Sequence, residues 1–177
     1  MASAINENLI NQDTKCDICD GSVKASDYLI RTWNNKYYPN TSMTDVIIHS
    51  DNTGMVYVGR KLGVDKFYQY LENFGFGSLT GIDLQDETTP DIRSKNEWRD
   101  IDLATASFGQ GIAVTPLQTV RAIASLANGG YLMEPHIVKS IDDGSKIIEI
   151  KPKIISRVLN EEATKTVTEM MVQAVER

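Results

Sequence analysis

Through its first 42 residues the chain shows no sustained hydrophobic period. It is polar and rich in turn residues, with one short apolar alternation at Tyr28-Leu29-Ile30, and this predicts loop carrying one or two short strands. Helical spacing begins at residue 44. Thr44 is placed to cap a helix bearing Val46, Ile47 and Ile48, which runs into Ser50-Asp51-Asn52. Met55, Val56, Val58 and Leu62 then mark a second helical run that Gly63 closes. Val64, Phe67, Tyr68, Leu71 and Phe74 form one face of an amphipathic helix ended by Gly75 and Gly77.

Residues 80–100 lose the period and predict an irregular surface segment, longer than a simple connection requires. A short helix is expected over 101–108, broken by Gly109-Gln110-Gly111. Thr115-Pro116-Leu117-Gln118 is a capping box with proline at the first helical position, so a helix is expected over 116–128. That helix is apolar nearly all round, which places it in the centre of the molecule, and Asn128-Gly129-Gly130 ends it. Residues 131–156 read as a hairpin about Asp142-Asp143-Gly144-Ser145, and a last amphipathic helix starts near Asn160.

Composition narrows the classes. With 177 residues, 41% of them hydrophobic, the chain has ordinary globular content, and collagen, low-complexity disorder and a disulfide-dense mini-protein are excluded. No run approaches the ~18 consecutive apolar residues of a membrane helix, and the first 11 residues lack the layout of a signal peptide. The net charge is -6 and the basic residues are scattered, which argues against nucleic acid as a partner. Cys16 and Cys19 form a lone Cys-x-x-Cys, open to a redox pair, half a zinc site, free thiols or a local disulfide. His49 adjoins Ser50, but neighbours on a helix point about 100° apart, which disfavours a Ser-His couple. The acidic pairs Asp86-Glu87, Asp100/Asp102 and Glu161-Glu162 read as solvated. Tyr28, Trp33, Tyr37 and Tyr38 suit either strand packing or the rim of a cleft.

Ser50-Asp51-Asn52 places a hydroxyl and an amide two residues apart on a turn, where both can face one cleft; an ordinary inter-helix turn would choose the same residues. Its surroundings are more specific. It continues as Thr53-Gly54-Met55. Next come Phe76-Gly77, Thr80-Gly81-Ile82-Asp83-Leu84, Asp102 to Gly111, Thr115-Pro116-Leu117-Gln118, Leu126 to Gly130, and Glu134-Pro135-His136-Ile137-Val138. In this order the segments resemble the transpeptidase domain of class B penicillin-binding proteins, over nearly the whole chain. Of that family's three motifs, Ser-x-x-Lys, Ser-x-Asn and Lys-Thr-Gly, only the middle one is present: no serine has lysine three residues on, and Lys165-Thr166 is followed by Val167. The resemblance therefore implies an internal piece of the domain, inactive alone, with the nucleophile just before residue 1 and Lys-Thr-Gly shortly after Arg177.

It further implies an α+β, mainly α fold, the helical subdomain of the penicillin-binding-protein and serine β-lactamase type with most of the sheet missing. The expected divisions are a loop-rich lead-in over 1–42, a helical core over 43–130, a hairpin over 131–157 and a last helix over 158–177. Ser50 and Asn52 are implied as catalytic, Ser50 relaying a proton and Asn52 orienting the scissile bond. Asp51, Gly109, Gln110 and Gly111 are candidates for substrate contact, although turn formation accounts for Asp51 equally and close helix packing is the favoured explanation of the Gly109-Gln110-Gly111 bend. No metal or cofactor is implied. The implied partners are peptidoglycan stem peptides, β-lactams, a glycan polymerase and the division or elongation proteins, on the outer face of the cytoplasmic membrane through an anchor outside this chain. A Cys16–Cys19 disulfide would be permitted there. Without the sheet, apolar surface on helix 116–128 and the last helix is expected to be exposed. Two rivals stand beside this reading: a non-catalytic helical interaction module derived from the same fold, and a serine β-lactamase or D,D-carboxypeptidase relative.

Overall fold

The computed structural model describes residues 1–176. Its order is α1 (Ala2–Asn6), β1 (Val23–Ala25), β2 (Tyr28–Ile30), α2 (Met43–Ile48), α3 (Asn52–Asn73), α4 (Asp100–Ser107), α5 (Pro116–Ala127), β3 (Tyr131–Glu134), β4 (Ser140–Asp142), β5 (Ile147–Glu149), β6 (Lys153–Arg157) and α6 (Glu161–Glu176). The strands form three antiparallel pairs, β1 with β2, β3 with β6 and β4 with β5, so the α+β, mainly helical class holds. No helix among the described residues is long and apolar enough to cross a membrane.

Several expectations shift by a residue or a partner. Ser42, not Thr44, caps α2: its hydroxyl accepts from Asp45 N–H, and Asp45 reaches back to the cap. Thr44 instead hydrogen-bonds the Gln12 carbonyl, tying the lead-in to α2. The two helical runs on either side of Gly63 are one stretch with a kink, since Gly63 sits at φ 77°, ψ 161°, outside helical space. α1 lies within the segment expected to be loop and is too short for its period to be seen. The expected β4–β5 hairpin forms, and a second ladder encloses it, because β3 pairs across it with β6. The first arm of the expected hairpin is strand only to Glu134; Pro135 cannot donate to a ladder and ends it.

The principal core joins Ala4 and Ile5 of α1, Met43 and Val46 of α2, Tyr57, Val58 and Leu62 of α3, and Ala163, Val167 and Met170 of α6. Cys16 and Cys19 lie in it, joined as a disulfide, which leaves the free-thiol and zinc readings without sulfur. A smaller cluster of Val23, Ala25, Ile30, Val56 and Ala104 seats the β1–β2 hairpin on α3 and α4.

The position of α5 differs most from expectation. Its buried residues are Gln118, Arg121, Ala122 and Ser125, while Val120 and Ile123 are 64% and 53% exposed. The inward face is polar because it clamps backbone. Gln118 donates to the Ser78 carbonyl and Thr89 hydroxyl, both at 2.8 Å, and Arg121 donates to the carbonyls of Gly75 and Thr80, both at 3.1 Å. Glu87 accepts from the N–H groups of Thr80 and Gly81, and Asp83 accepts from those of Ile137 and Val138 at 2.8 and 2.9 Å. Asp102 accepts from Arg93 and from Arg99. Glu87 and Asp102 are therefore anchors of the long irregular segment rather than solvated charges. The expected exposure of apolar surface is present, at Ile123 on α5 and at Met171, Val172 and Val175 on α6.

Candidate active-site turn

Ser50, Asp51 and Asn52 occupy the junction of α2 and α3, and the three side chains have different surroundings. His49 ends α2 in αR geometry, and Ser50 turns the chain with φ 49°, in the left-handed region that serine seldom occupies. Its backbone N–H is held by the Ile47 carbonyl at 3.1 Å, and its side chain is exposed.

Asp51 is 1% exposed and caps α3, accepting through Oδ1 from the N–H groups of Thr53 (2.8 Å) and Gly54 (3.2 Å) and from the Thr53 hydroxyl (2.7 Å). Used in this way, the buried carboxylate acts as a turn-former, one of the two roles expected of Asp51. Gly54 completes the junction: a Cβ there would lie 2.3 Å from Val46 Cγ2, so only glycine lets α3 start this close to α2.

Asn52 is half-buried. Its Nδ2 donates to the Arg31 carbonyl at 2.9 Å, which fixes the plane of the amide. Its second amide hydrogen and its carbonyl oxygen make no other hydrogen bond among the described residues. The loop after β2 also covers His49: the Trp33 indole donates to the His49 carbonyl at 3.2 Å, and the Tyr38 ring stacks on the His49 ring at 4.0 Å and 8°. Trp33 is 72% exposed. The aromatic residues of the lead-in thus divide, Trp33 and Tyr38 bordering the turn and Tyr28 standing exposed on β2.

Gly109, Gln110 and Gly111 are exposed at the end of α4. Phe108 just before them packs on the same small cluster as Ile30, which precedes Arg31, so the loop and the Ser50 turn flank one apolar cluster. Gly111 has φ 77°, and a Cβ on it would lie 2.6 Å from Thr105 Oγ1, so close packing accounts for that glycine. Gly109 has open space around it. Ser-x-Asn spacing alone also selects Ser94-Lys95-Asn96, which leads an exposed 3-10 turn where Lys95 pairs with Asp65; it stands at no junction of long helices.

Known proteins resemble the chain over its whole length. The penicillin binding protein transpeptidase domain family matches residues 1–177. Stage V sporulation protein D of Bacillus subtilis is 34% identical over 170 residues, 94% of this chain and 26% of that protein. Peptidoglycan D,D-transpeptidase MrdA of Haemophilus influenzae is 32% identical over 121 residues, 63% of this chain and 19% of that protein. The crystal structure of penicillin binding protein 3 from Mycobacterium tuberculosis complexed with ampicillin superposes with a TM-score of 0.91 at 25% identity, over 99% of this chain and 39% of that one. The chain thus spans about a quarter or less of the length of these curated relatives.

Proposed function

The chain belongs to the penicillin-binding-protein transpeptidase family, and from that premise we propose that it is the part of a peptidoglycan D,D-transpeptidase carrying the second of three active-site motifs. The observation behind this reading is the division of labour at the α2–α3 junction. Asp51 is buried as the helix cap, and this presents Ser50 outward and leaves Asn52 with a fixed amide.

In this reading the reaction is acyl transfer from a D-Ala-D-Ala stem peptide through a serine ester. The nucleophilic serine and its lysine, and the Lys-Thr-Gly strand, belong to polypeptide outside these 177 residues. Ser50 relays a proton: its hydroxyl accepts from one group as it donates to the next, on the path from the nucleophile to the departing D-alanine amine. Its left-handed backbone turns that hydroxyl out of the helix surface, where a partner on another segment can meet it. Asn52 donates its free amide hydrogen to a carbonyl of the bound peptide and so orients the scissile bond. A β-lactam, which presents an acyl group with a side-chain amide, would use the same donor. The working enzyme would stand on the outer face of the cytoplasmic membrane, with a glycan polymerase and the division or elongation proteins as partners.

Sequencing the gene on both sides of the codons for Met1 and Arg177 tests the assignment. In-frame Ser-x-x-Lys upstream and Lys-Thr-Gly downstream are expected. A reading frame without them would leave no nucleophile and would favour the non-catalytic interaction module.

A further inference from the structure

Residues 31–33 run beside the Ser50 turn in the opposite sense, since Arg31 is linked to Asn52 and Trp33 to His49. Thr32 lies between those two links on its own segment, as Ser50 and Asp51 lie between them on the turn. Thr32 is 5% exposed and Asp51 1%. Thr32 Oγ1 and Asp51 Oδ2 are both buried without a protein hydrogen-bond partner, although Asp51 Oδ1 holds three donors. A buried carboxylate oxygen is costly to leave unpaired, and buried water is the usual partner of polar atoms that the chain cannot pair directly.

We propose that Thr32 is a positioning residue for Ser50: its hydroxyl donates to one buried water, and that water donates to Asp51 Oδ2, giving the strap of residues 31–33 a third link to the turn. The chemistry is complementary, because an ionised carboxylate only accepts, and a hydroxyl bonded to a water can orient that water's own O–H toward it. The three links bear on the same short stretch, one at His49, one at Asp51 and one at Asn52, with Ser50 enclosed among them in its disfavoured backbone conformation. The consequence for catalysis rests on the reading of Ser50 as the proton relay; the link itself does not.

Amide hydrogen exchange followed by NMR on the full 177-residue chain tests it. In Thr32→Val, which keeps the shape and removes the donor, the amides of Ser50, Thr53 and Gly54 are expected to exchange about tenfold faster or more. Those of Val167 and Met170 in α6 should be unchanged, and Thr32→Ser should restore the wild-type rates. Wild-type exchange at the turn in Thr32→Val, failure of the serine variant to rescue, or equal acceleration in α6 would each overturn the proposal. A crystal structure of the wild-type chain supplies a second measurement. A water within hydrogen-bond distance of both oxygens is expected, and direct contact between Thr32 and Asp51 with no water overturns it. Failure of the relay reading shows elsewhere, as an acylation rate indifferent to Ser50→Ala, so the two ideas fall separately.

Discussion

Gly75→Ala is expected to destabilise the chain far more than an exposed glycine substitution would. Gly75 follows α3 with φ 78°, and a Cβ there would lie 1.7 Å from Arg121 Nη2 and 2.8 Å from Cζ. The guanidinium cannot move freely, because it is buried and donates to the carbonyls of Gly75 itself and of Thr80. Left-handed backbone costs an alanine about 1–2 kcal/mol, and displacing a charged group from a buried hydrogen bond costs about 1.5–3 kcal/mol. The sum is about 2.5–5 kcal/mol, a large share of the roughly 5–15 kcal/mol that a domain possesses. In urea, the unfolding midpoint should fall by about 1.3–2.5 M with unchanged slope, for a slope of about 2 kcal/mol/M. A double-mutant cycle separates the two causes: in an Arg121→Met background, Gly75→Ala should cost only the left-handed part, about 1–2 kcal/mol. A cost below about 1 kcal/mol in the wild-type background, or equal costs in both backgrounds, would refute the clamp.

Asp102 gives a pH prediction. The Arg99 backbone N–H, with Arg93 and the Arg99 side chain adding to it against the cost of burial, holds its pKa at about 2. Because the folded value lies below the unfolded one, the stabilisation is present above about pH 4 and is lost as pH falls toward 2. Asp102→Asn should flatten the stability curve in that window, as measured by denaturant midpoints from pH 2 to 5. Thr115→Ala removes the hydroxyl that accepts from Gln118 N–H and should cost about 1 kcal/mol by thermal unfolding. Exposed Ile123, Met171, Val172 and Val175 predict concentration-dependent association of the isolated chain in sedimentation velocity, which Val172→Glu should weaken.

Some helix boundaries were legible from chemistry complete within a few residues, although the Ser42–Asp45 cap of α2 is equally local and Thr44 was expected in its place. The capping box Thr115–Gln118 and the break at Gly63 are both local, and both are present. The α5 packing was not legible, because its inward residues Gln118 and Arg121 are matched by carbonyls about 40 residues earlier, and periodicity carries no record of a partner so distant. The nesting of β4–β5 inside β3–β6 was hidden for the same reason, since each short strand looks alike until its partner is known. At the Ser50 turn the motif was readable, while the strap was not: Arg31 and Trp33 reach the turn through one backbone carbonyl and one indole, and neither leaves a spacing signature. Asp51 is instructive in the same way. Turn-former and substrate contact were equally open from the sequence, and the structure displays the turn-forming bonds.

The central claim, that Ser50 serves acyl transfer in a peptidoglycan transpeptidase, is tested most directly by the rate of acylation of the full gene product by a labelled penicillin, wild type against Ser50→Ala. The account predicts one stoichiometric adduct, on the serine of Ser-x-x-Lys, formed about 10²–10⁴-fold more slowly without the Ser50 hydroxyl. An unchanged acylation rate in Ser50→Ala, or rapid release of hydrolysed penicillin in place of a lasting adduct, would contradict it.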